Sequence, residues 1–373
     1  MSADAYSPLK ITRHLDILGG VRAGAPTRPA HVQIILSDLC NQACHFCAYR
    51  DPEYTSAQLF YEIDTNSARG LRRDAAHPER NYNPNRMIPY DKVLEILGDC
   101  DTMGVSGIQF TGGGEPTVHP SFLDVVRNTA AYKLPYALVT NGVLIGARGW
   151  AEHLGDAAWV RVSLDAGRPG TYAAIRNVPE RHFADAVFAI RELAKTRTLV
   201  GVGFVVTPEN WREVLQATWI ARDAGADNIR ISAQFSAQNE ALFNDFHGEC
   251  ADLCANAETL STDTFHVYNR FSQKMDDLRQ QRPEYSWCGY QQATTYIGAD
   301  LNVYRCCVLS YNERGLVGSL KDRSFADLWL SQDRMNAMMA FDARGCDRCQ
   351  FNGINRVLDY AMGPGQRQHS EFV

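Results

Sequence analysis

Between residues 31 and 232 the chain alternates two kinds of pattern. Short runs of β-branched and aliphatic residues predict strands at 31–37, 106–110, 135–140, 158–164, 199–207 and 227–232. Stretches with apolar residues at three- and four-residue spacing predict helices at 90–103, 120–132, 147–154, 180–195 and 209–224. Strands that alternate with crossover helices imply a parallel sheet. Six such units, with glycine-rich or polar turns after each strand, predict an incomplete β/α barrel. In that architecture, functional residues sit on the loops that follow the strands' carboxyl ends.

Three stretches break the rhythm. Residues 1–30 form a lead-in with little periodicity, and residues 50–89 are a long polar insertion ahead of the first helix. Loops of that length are uncommon unless functional or disordered. Residues 241–284 have a helical pattern and join the barrel, 31–240, to a cysteine-rich module at 285–357, which a tail at 358–373 follows. There is no solenoid-type repeat.

Composition adds two exclusions. Hydrophobic residues make up 45% of the 373 positions and charged residues 21%, an ordinary globular balance. Apolar runs such as 199–206 are far too short to span a membrane. The first residues lack the basic and apolar regions of a secretory signal, so a cytoplasmic location is expected. The net charge of −6 supplies no global field for nucleic acid.

Eleven cysteines change the picture. Disulfides are rare in a reducing compartment, and grouped cysteines there read as metal or catalytic ligands. Cys40, Cys44 and Cys47 form one group; Cys288, Cys306, Cys307, Cys346 and Cys349 form another. Three thiolates on one loop can ligate three irons of a cubane and leave the fourth iron open. A zinc loop with a distant fourth ligand, such as His45, is the alternative.

The Cys-x3-Cys-x2-Cys spacing after the first strand, with Phe46 before the third cysteine, resembles the signature of the radical S-adenosylmethionine (SAM) superfamily. A second signature follows the second strand: Phe110-Thr-Gly112-Gly113-Gly114-Glu115-Pro116. The resemblance covers about residues 31–240 and implies a partial (β/α)6 barrel. It also implies a [4Fe–4S] cluster on Cys40, Cys44 and Cys47 that cleaves SAM to a 5′-deoxyadenosyl radical, fed by a one-electron donor of flavodoxin or ferredoxin type. By the match, Gly113, Gly114 and Glu115 meet SAM's amino group. Asn141, Ser163 and Asp165 stand where the family contacts ribose and carboxylate. Arg176 resembles the carboxylate-gripping base, and Phe46 and Ile231 stand where adenine is flanked.

The order Cys288-Gly, a strand pair over 295–305, Cys306 and a closing Cys346-Asp-Arg-Cys349 is similar to the twitch form of the SPASM extension, a small α+β module. There, four cysteines carry an auxiliary [4Fe–4S] cluster; Cys288, Cys306, Cys346 and Cys349 match. Leu301 replaces the family's hairpin glycine, and Cys307 competes with Cys306 as ligand. Structural zinc is the alternative here too. Cys250 and Cys254, one helical turn apart, read as buried small side chains or as a redox pair, and Cys100 as core. His45 and His119 are expected to support structure rather than catalysis.

For substrate, three classes compete: ribosomal peptides, amino sugars or nucleoside antibiotics, and nucleic-acid bases. The run 103–120 resembles radical SAM proteins of thymidine hypermodification in tailed phages, which implies modified DNA as partner. Arg69, Arg72, Arg73, Arg80 and Arg86 in the insertion suit phosphate contacts, and Tyr49, Tyr54, Tyr61 and Tyr82 suit stacking on a base. The best expectation is rearrangement of an amino-acid-substituted thymidine, flipped out of the duplex.

Overall fold

A computed structural model describes residues 5–49, 87–235 and 239–363. The arginines and tyrosines of the polar insertion, from Tyr54 to Arg86, lie outside the described residues.

Among the described residues, ten strands form one open sheet. They are β1 (His31–Ile35), β2 (Gly107–Thr111), β3 (Tyr136–Thr140), β4 (Trp159–Ser163), β5 (Leu199–Val206), β6 (Asn228–Ala233), β7 (His266–Asn269), β8 (Thr294–Ile297), β9 (Asn302–Tyr304) and β10 (Leu316–Ser319). The spatial order is β10-β9-β8-β1-β2-β3-β4-β5-β6-β7. Strands β1 to β6 pair in parallel and in sequence order, which is the partial barrel.

The helices are α1 (Leu15–Arg22), α2 (Tyr90–Met103), α3 (Phe122–Ala131), α4 (Val143–Arg148), α5 (Pro169–Arg176), α6 (Arg181–Leu193), α7 (Val214–Asp223), α8 (His247–Glu258), α9 (Phe271–Gln280), α10 (Tyr290–Ala293), α11 (Phe325–Trp329), α12 (Gln332–Met339) and α13 (Asn352–Met362). Alternate strand positions explain the layering. Val32 and Ile34 of β1, Phe110 of β2, Val160 and Val162 of β4 and Ile229 and Ile231 of β6 are buried in one core with Val93, Ile96 and Leu97 of α2. Each such side chain contributes about 1.5–3 kcal/mol when taken out of water. The intervening positions face into the barrel, where β1 and β2 are tied by Gln109 donating to Gln33 at 2.9 Å.

Three features depart from the sequence pattern. The segment 241–284 is not wholly helical: it contains β7, which extends the parallel sheet beside β6. Four residues are too few to show a clear period. The lead-in holds α1 and a 3-10 turn at Pro8–Arg13, and brings Tyr6 and Pro8 to the barrel cavity. The cysteine-rich module is continuous with the barrel, because β8 pairs in parallel with β1. The β8–β9 turn keeps a left-handed residue without glycine: Leu301 has φ 65°. Asp300 holds this turn by accepting from the Asn302 amide nitrogen at 3.2 Å and the Tyr304 hydroxyl at 2.5 Å.

Candidate active site

The loop after β1 and the turn after β2 are built against each other. The amides of Gly114 and Glu115 donate to the carbonyls of Ser37 and Leu39, each at 2.9 Å. This approach leaves no room for side chains. A Cβ on Gly114 would overlap the Leu39 carbonyl, and one on Gly113 would lie 2.7 Å from Asp38 Oδ1. Glycine is required here by contact rather than by φ.

That packing places Cys40, Cys44 and Cys47 on the wall of one cavity of about 560 Å³, together with Gly112, Gly113 and Gly114. Phe46, Asn141, Ser163, Asp165 and Arg176 line the same cavity. Ile231 does not. It is fully buried in the outer core, because β6 alternates and turns Arg230 and Ser232 inward instead.

Several side chains at the site are occupied in supporting it. Glu115 is buried; its Oε1 accepts from the Thr117 amide at 3.1 Å and from the hydroxyls of Thr117 and Thr140 at 2.7 and 2.6 Å. Its Oε2 accepts from the Asn141 amide at 2.8 Å. Glu115 therefore locks the turn after β2 to the turn after β3, leaving the glycine backbone to face the cavity. Burial raises its pKa in spite of these donors. Asn141 is similarly engaged, donating to Asn41 Oδ1 at 2.7 Å and accepting from the Val143 amide at 3.1 Å.

Arg176 ends α5 and is buried beside the cysteine loop. It pairs with Asp165, donates to the Ser163 carbonyl at 2.8 Å and to Gln42 Oε1 at 2.5 Å, and lies 3.9 Å from Cys44 Sγ. Its Nε is buried without a partner. Asp165 is fixed in turn, taking the Val205 amide at 2.6 Å. A cation held here offsets thiolate charge next to it. Burial pushes the Cys40 thiol well up, with Glu115, Cys44 and Cys47 adding to it. A thiol shifted in this direction ionises when a cation such as iron binds it.

The second group comes from separate segments. Cys288 precedes α10, Cys306 follows β9, and Cys346 and Cys349 precede α13. Burial pushes Cys288 and Cys346 up to about 12 and Cys306 higher; Cys349 and Cys346 add to the shift of Cys288, and Cys349 to that of Cys346. Tyr285 donates to Cys349 Sγ at 3.4 Å; Asn355 lies 3.7 Å from Cys288 Sγ and 3.9 Å from Cys349 Sγ. Cys306 feels the charge of Cys307, Cys288, Cys346 and Cys349, while Cys307 takes hydrogen bonds from Tyr296 and Gln350 and also feels Cys349. Cys288, Cys306, Cys346 and Cys349 are thus within electrostatic reach of one another, while among the described residues no group of three or more His, Cys, Asp or Glu side chains is drawn together tightly enough to hold a metal ion.

The remaining candidates are accounted for by packing. His119 is held between the Ile88 carbonyl at 2.8 Å and the Ser121 amide at 3.2 Å. His45 is half-exposed, 3.8 Å from Glu209. Cys100, Cys250 and Cys254 are buried in the core.

Sequence reading missed Tyr6, Asp38, Gln42, Arg230, Arg270, Lys274 and Gln350, all on the cavity wall. Arg230 had a legible signal, a charged residue in an otherwise apolar strand. Asp38 and Gln42 lie within the cysteine loop itself, and Tyr6, Arg270, Lys274 and Gln350 are brought in by remote segments.

Comparison with known proteins agrees with this architecture. Residues 34–218 match the radical SAM superfamily and residues 288–350 match the SPASM iron–sulfur cluster-binding domain. A tungsten-containing aldehyde ferredoxin oxidoreductase cofactor-modifying protein of Pyrococcus furiosus is 32% identical over 185 residues, covering 47% of this chain and 50% of that protein. The mycofactocin maturase MftC of Mycobacterium ulcerans is 27% identical over 249 residues, 63% of this chain and 64% of that one. The chain thus spans half to just under two thirds of the length of these relatives. In fold it is similar to SuiB of Streptococcus suis bound to S-adenosylmethionine, with TM-score 0.62, 12% identity and coverage of 92% of this chain and 75% of that one. Among the described residues, no helix is long and apolar enough to cross a membrane.

Proposed function

Since the chain belongs to the radical SAM superfamily and carries a C-terminal SPASM iron–sulfur domain, we propose that it abstracts hydrogen from the α-carbon of an amino-acid group, holding its catalytic cluster on Cys40, Cys44 and Cys47. When bound, the [4Fe–4S] cluster and SAM supply the 5′-deoxyadenosyl radical that this chemistry needs. The observation that carries the reading is the convergence of three thiols, the glycine turn and Arg176 on one cavity.

The chain's own residues have separable tasks. Gly113 and Gly114 keep the wall beside the cysteine loop free of side chains, so that a cofactor meets backbone. Glu115 and Asn141 hold that wall rigid. Arg176 balances thiolate charge and keeps one N–H unpartnered for an anionic cofactor group. Cys288, Cys306, Cys346 and Cys349 would hold an auxiliary cluster on the far side of β8 and β9.

The finer reading is rearrangement of an amino-acid-substituted thymidine carried by DNA, in which a carbon–nitrogen link becomes a carbon–carbon link. Its support is the sequence alone: Arg69, Arg72, Arg73, Arg80 and Arg86 follow the cysteine loop directly. Maturation of a peptide is the second reading, favoured by the likeness to the maturase MftC.

The test is to supply the reconstituted enzyme, SAM and a reductant with each substrate class, deuterated at the amino-acid α-carbon. Deuterium in 5′-deoxyadenosine identifies the substrate. Transfer from a peptide and none from DNA would replace the first reading by the second. No transfer from either would remove both.

A further inference from the structure

The cavity floor carries positive charge that the cysteine loop and the glycine turn do not use. Arg230 lines it with Tyr6, Arg270, Gln273 and Lys274. The guanidinium carbons of Arg161, Arg230 and Arg270 lie 5.7, 5.8 and 5.7 Å from the centre of the Tyr6 ring, so three cations surround one aromatic side chain.

Three of the neighbouring charges have identified partners. Arg161, on β4, donates to the Tyr6 hydroxyl at 2.9 Å. Lys274 pairs with Asp277 at 3.0 Å and donates to the Gln350 carbonyl at 2.9 Å. Asp165, a carboxylate on the same wall, is held by Arg176 and the Val205 amide and feels the charge of Arg230 without a hydrogen bond to it. Arg230 differs from all of these. Among the described residues its side chain forms no ion pair or hydrogen bond, and its Nε is buried without a partner. A guanidinium left this way, with Arg161 close enough to repel it, is unfavourable until an anion arrives.

We propose that Arg230, with Arg161 and Arg270 around it, is a subsite for a carboxylate of the substrate. A guanidinium presents parallel N–H groups along one edge, and a planar carboxylate accepts two of them at once. A monoanion suits the place, since among the described residues the Arg230 guanidinium forms no hydrogen bond or ion pair. The subsite lies on β6, five strands along the curved sheet from β1, whose loop bears the three cysteines. A substrate anchored there extends through the cavity toward that loop. This sharpens the proposed function, on which it rests: the amino-acid group would end in a free carboxylate, as a group carried on a base does and a residue inside a peptide does not.

The test reads binding without turnover, so an enzyme that fails to consume SAM would sink the proposed reaction and leave this measurement intact. The full chain, reconstituted anaerobically with iron and sulfide and saturated with SAM, is titrated by calorimetry with N-acetylglycine, its neutral isostere N-acetylglycinamide, and inorganic phosphate. The acid should bind at least tenfold more tightly than the amide. Arg230→Met should abolish that preference and Arg230→Lys should recover part of it, with SAM affinity unchanged in both. The wild-type comparison of acid with amide stands even where Arg230→Met fails to fold. Equal affinity for acid and amide overturns the proposal, as does binding of phosphate without the acid. So does a parallel loss of SAM affinity in Arg230→Lys, which would make Arg230 part of the cofactor site.

Discussion

The two cysteine sites are built in opposite ways. In the first, three ligands lie within eight residues on one loop, held by the amides of Gly114 and Glu115 against the Ser37 and Leu39 carbonyls and by Arg176 against Gln42. In the second, the ligands come from three places separated by up to sixty-one residues, Cys288 to Cys349, and what supports them is side chain: Tyr285, Asn352 and Asn355. The first faces a cavity, with an open position implied by its three thiols. The second supplies four thiols and so can close a cluster entirely. A catalytic metal site needs a free coordination position, and a structural or electron-handling one does not.

This contrast can be broken by variants that touch one site at a time. The largest effect is expected for Cys40, Cys44 and Cys47 replaced together by alanine. SAM cleavage should vanish, and iron should fall from about eight to about four atoms per chain, the content of one remaining cubane. Undiminished 5′-deoxyadenosine formation would refute the assignment of the catalytic site.

Gly114→Ala comes next. Its methyl would overlap backbone, the Leu39 carbonyl, which cannot swing away as a side chain could. We expect loss of most SAM cleavage and about 1–3 kcal/mol of stability, the usual cost of overpacking. The auxiliary iron should be retained. Full activity would show that the two turns can separate without harm.

Asn355→Ala probes the second site alone. Asn355 Oδ1 accepts from the Tyr290 amide at 2.8 Å, and Nδ2 donates to the Tyr285 hydroxyl at 3.2 Å, beside two of the thiols. Losing these buried bonds should cost about 1–3 kcal/mol, measured by chemical denaturation. Auxiliary iron should become labile to chelator while the iron on the first loop persists. Equal loss from both sites would mean that the two are not independently supported.

Leu301→Gly has the smallest expected effect, because two terms oppose each other. Glycine relieves a left-handed backbone that costs another residue about 1–2 kcal/mol. It also removes a side chain that is only 8% exposed, worth about 1.5–3 kcal/mol. A net destabilisation of about 1 kcal/mol should appear as a small fall in thermal midpoint. A rise instead would show that strain at the hairpin outweighs packing.

What the amino-acid sequence determined by itself was everything carried by local order. Period-two and period-3.6 patterns place β1 to β6 and most of the helices between them, since each element buries its own face. Cys40, Cys44 and Cys47 and the glycine turn are legible because their ligands and contacts come from contiguous residues at the ends of successive strands. Tertiary structure alone decided the rest. It pairs β8 with β1, so that the cysteine-rich module continues the barrel sheet. It brings Cys306 within electrostatic reach of Cys288, Cys346 and Cys349, and gives Cys307 hydrogen bonds from Tyr296 and Gln350. It turns Ile231 outward and Arg230 inward, and carries Tyr6 from the lead-in to the cavity floor. The physical reason is common to all of these. Strand pairing and side-chain direction between remote segments are set by which faces must be buried together, and that is a property of the packed sheet rather than of any short stretch of chain.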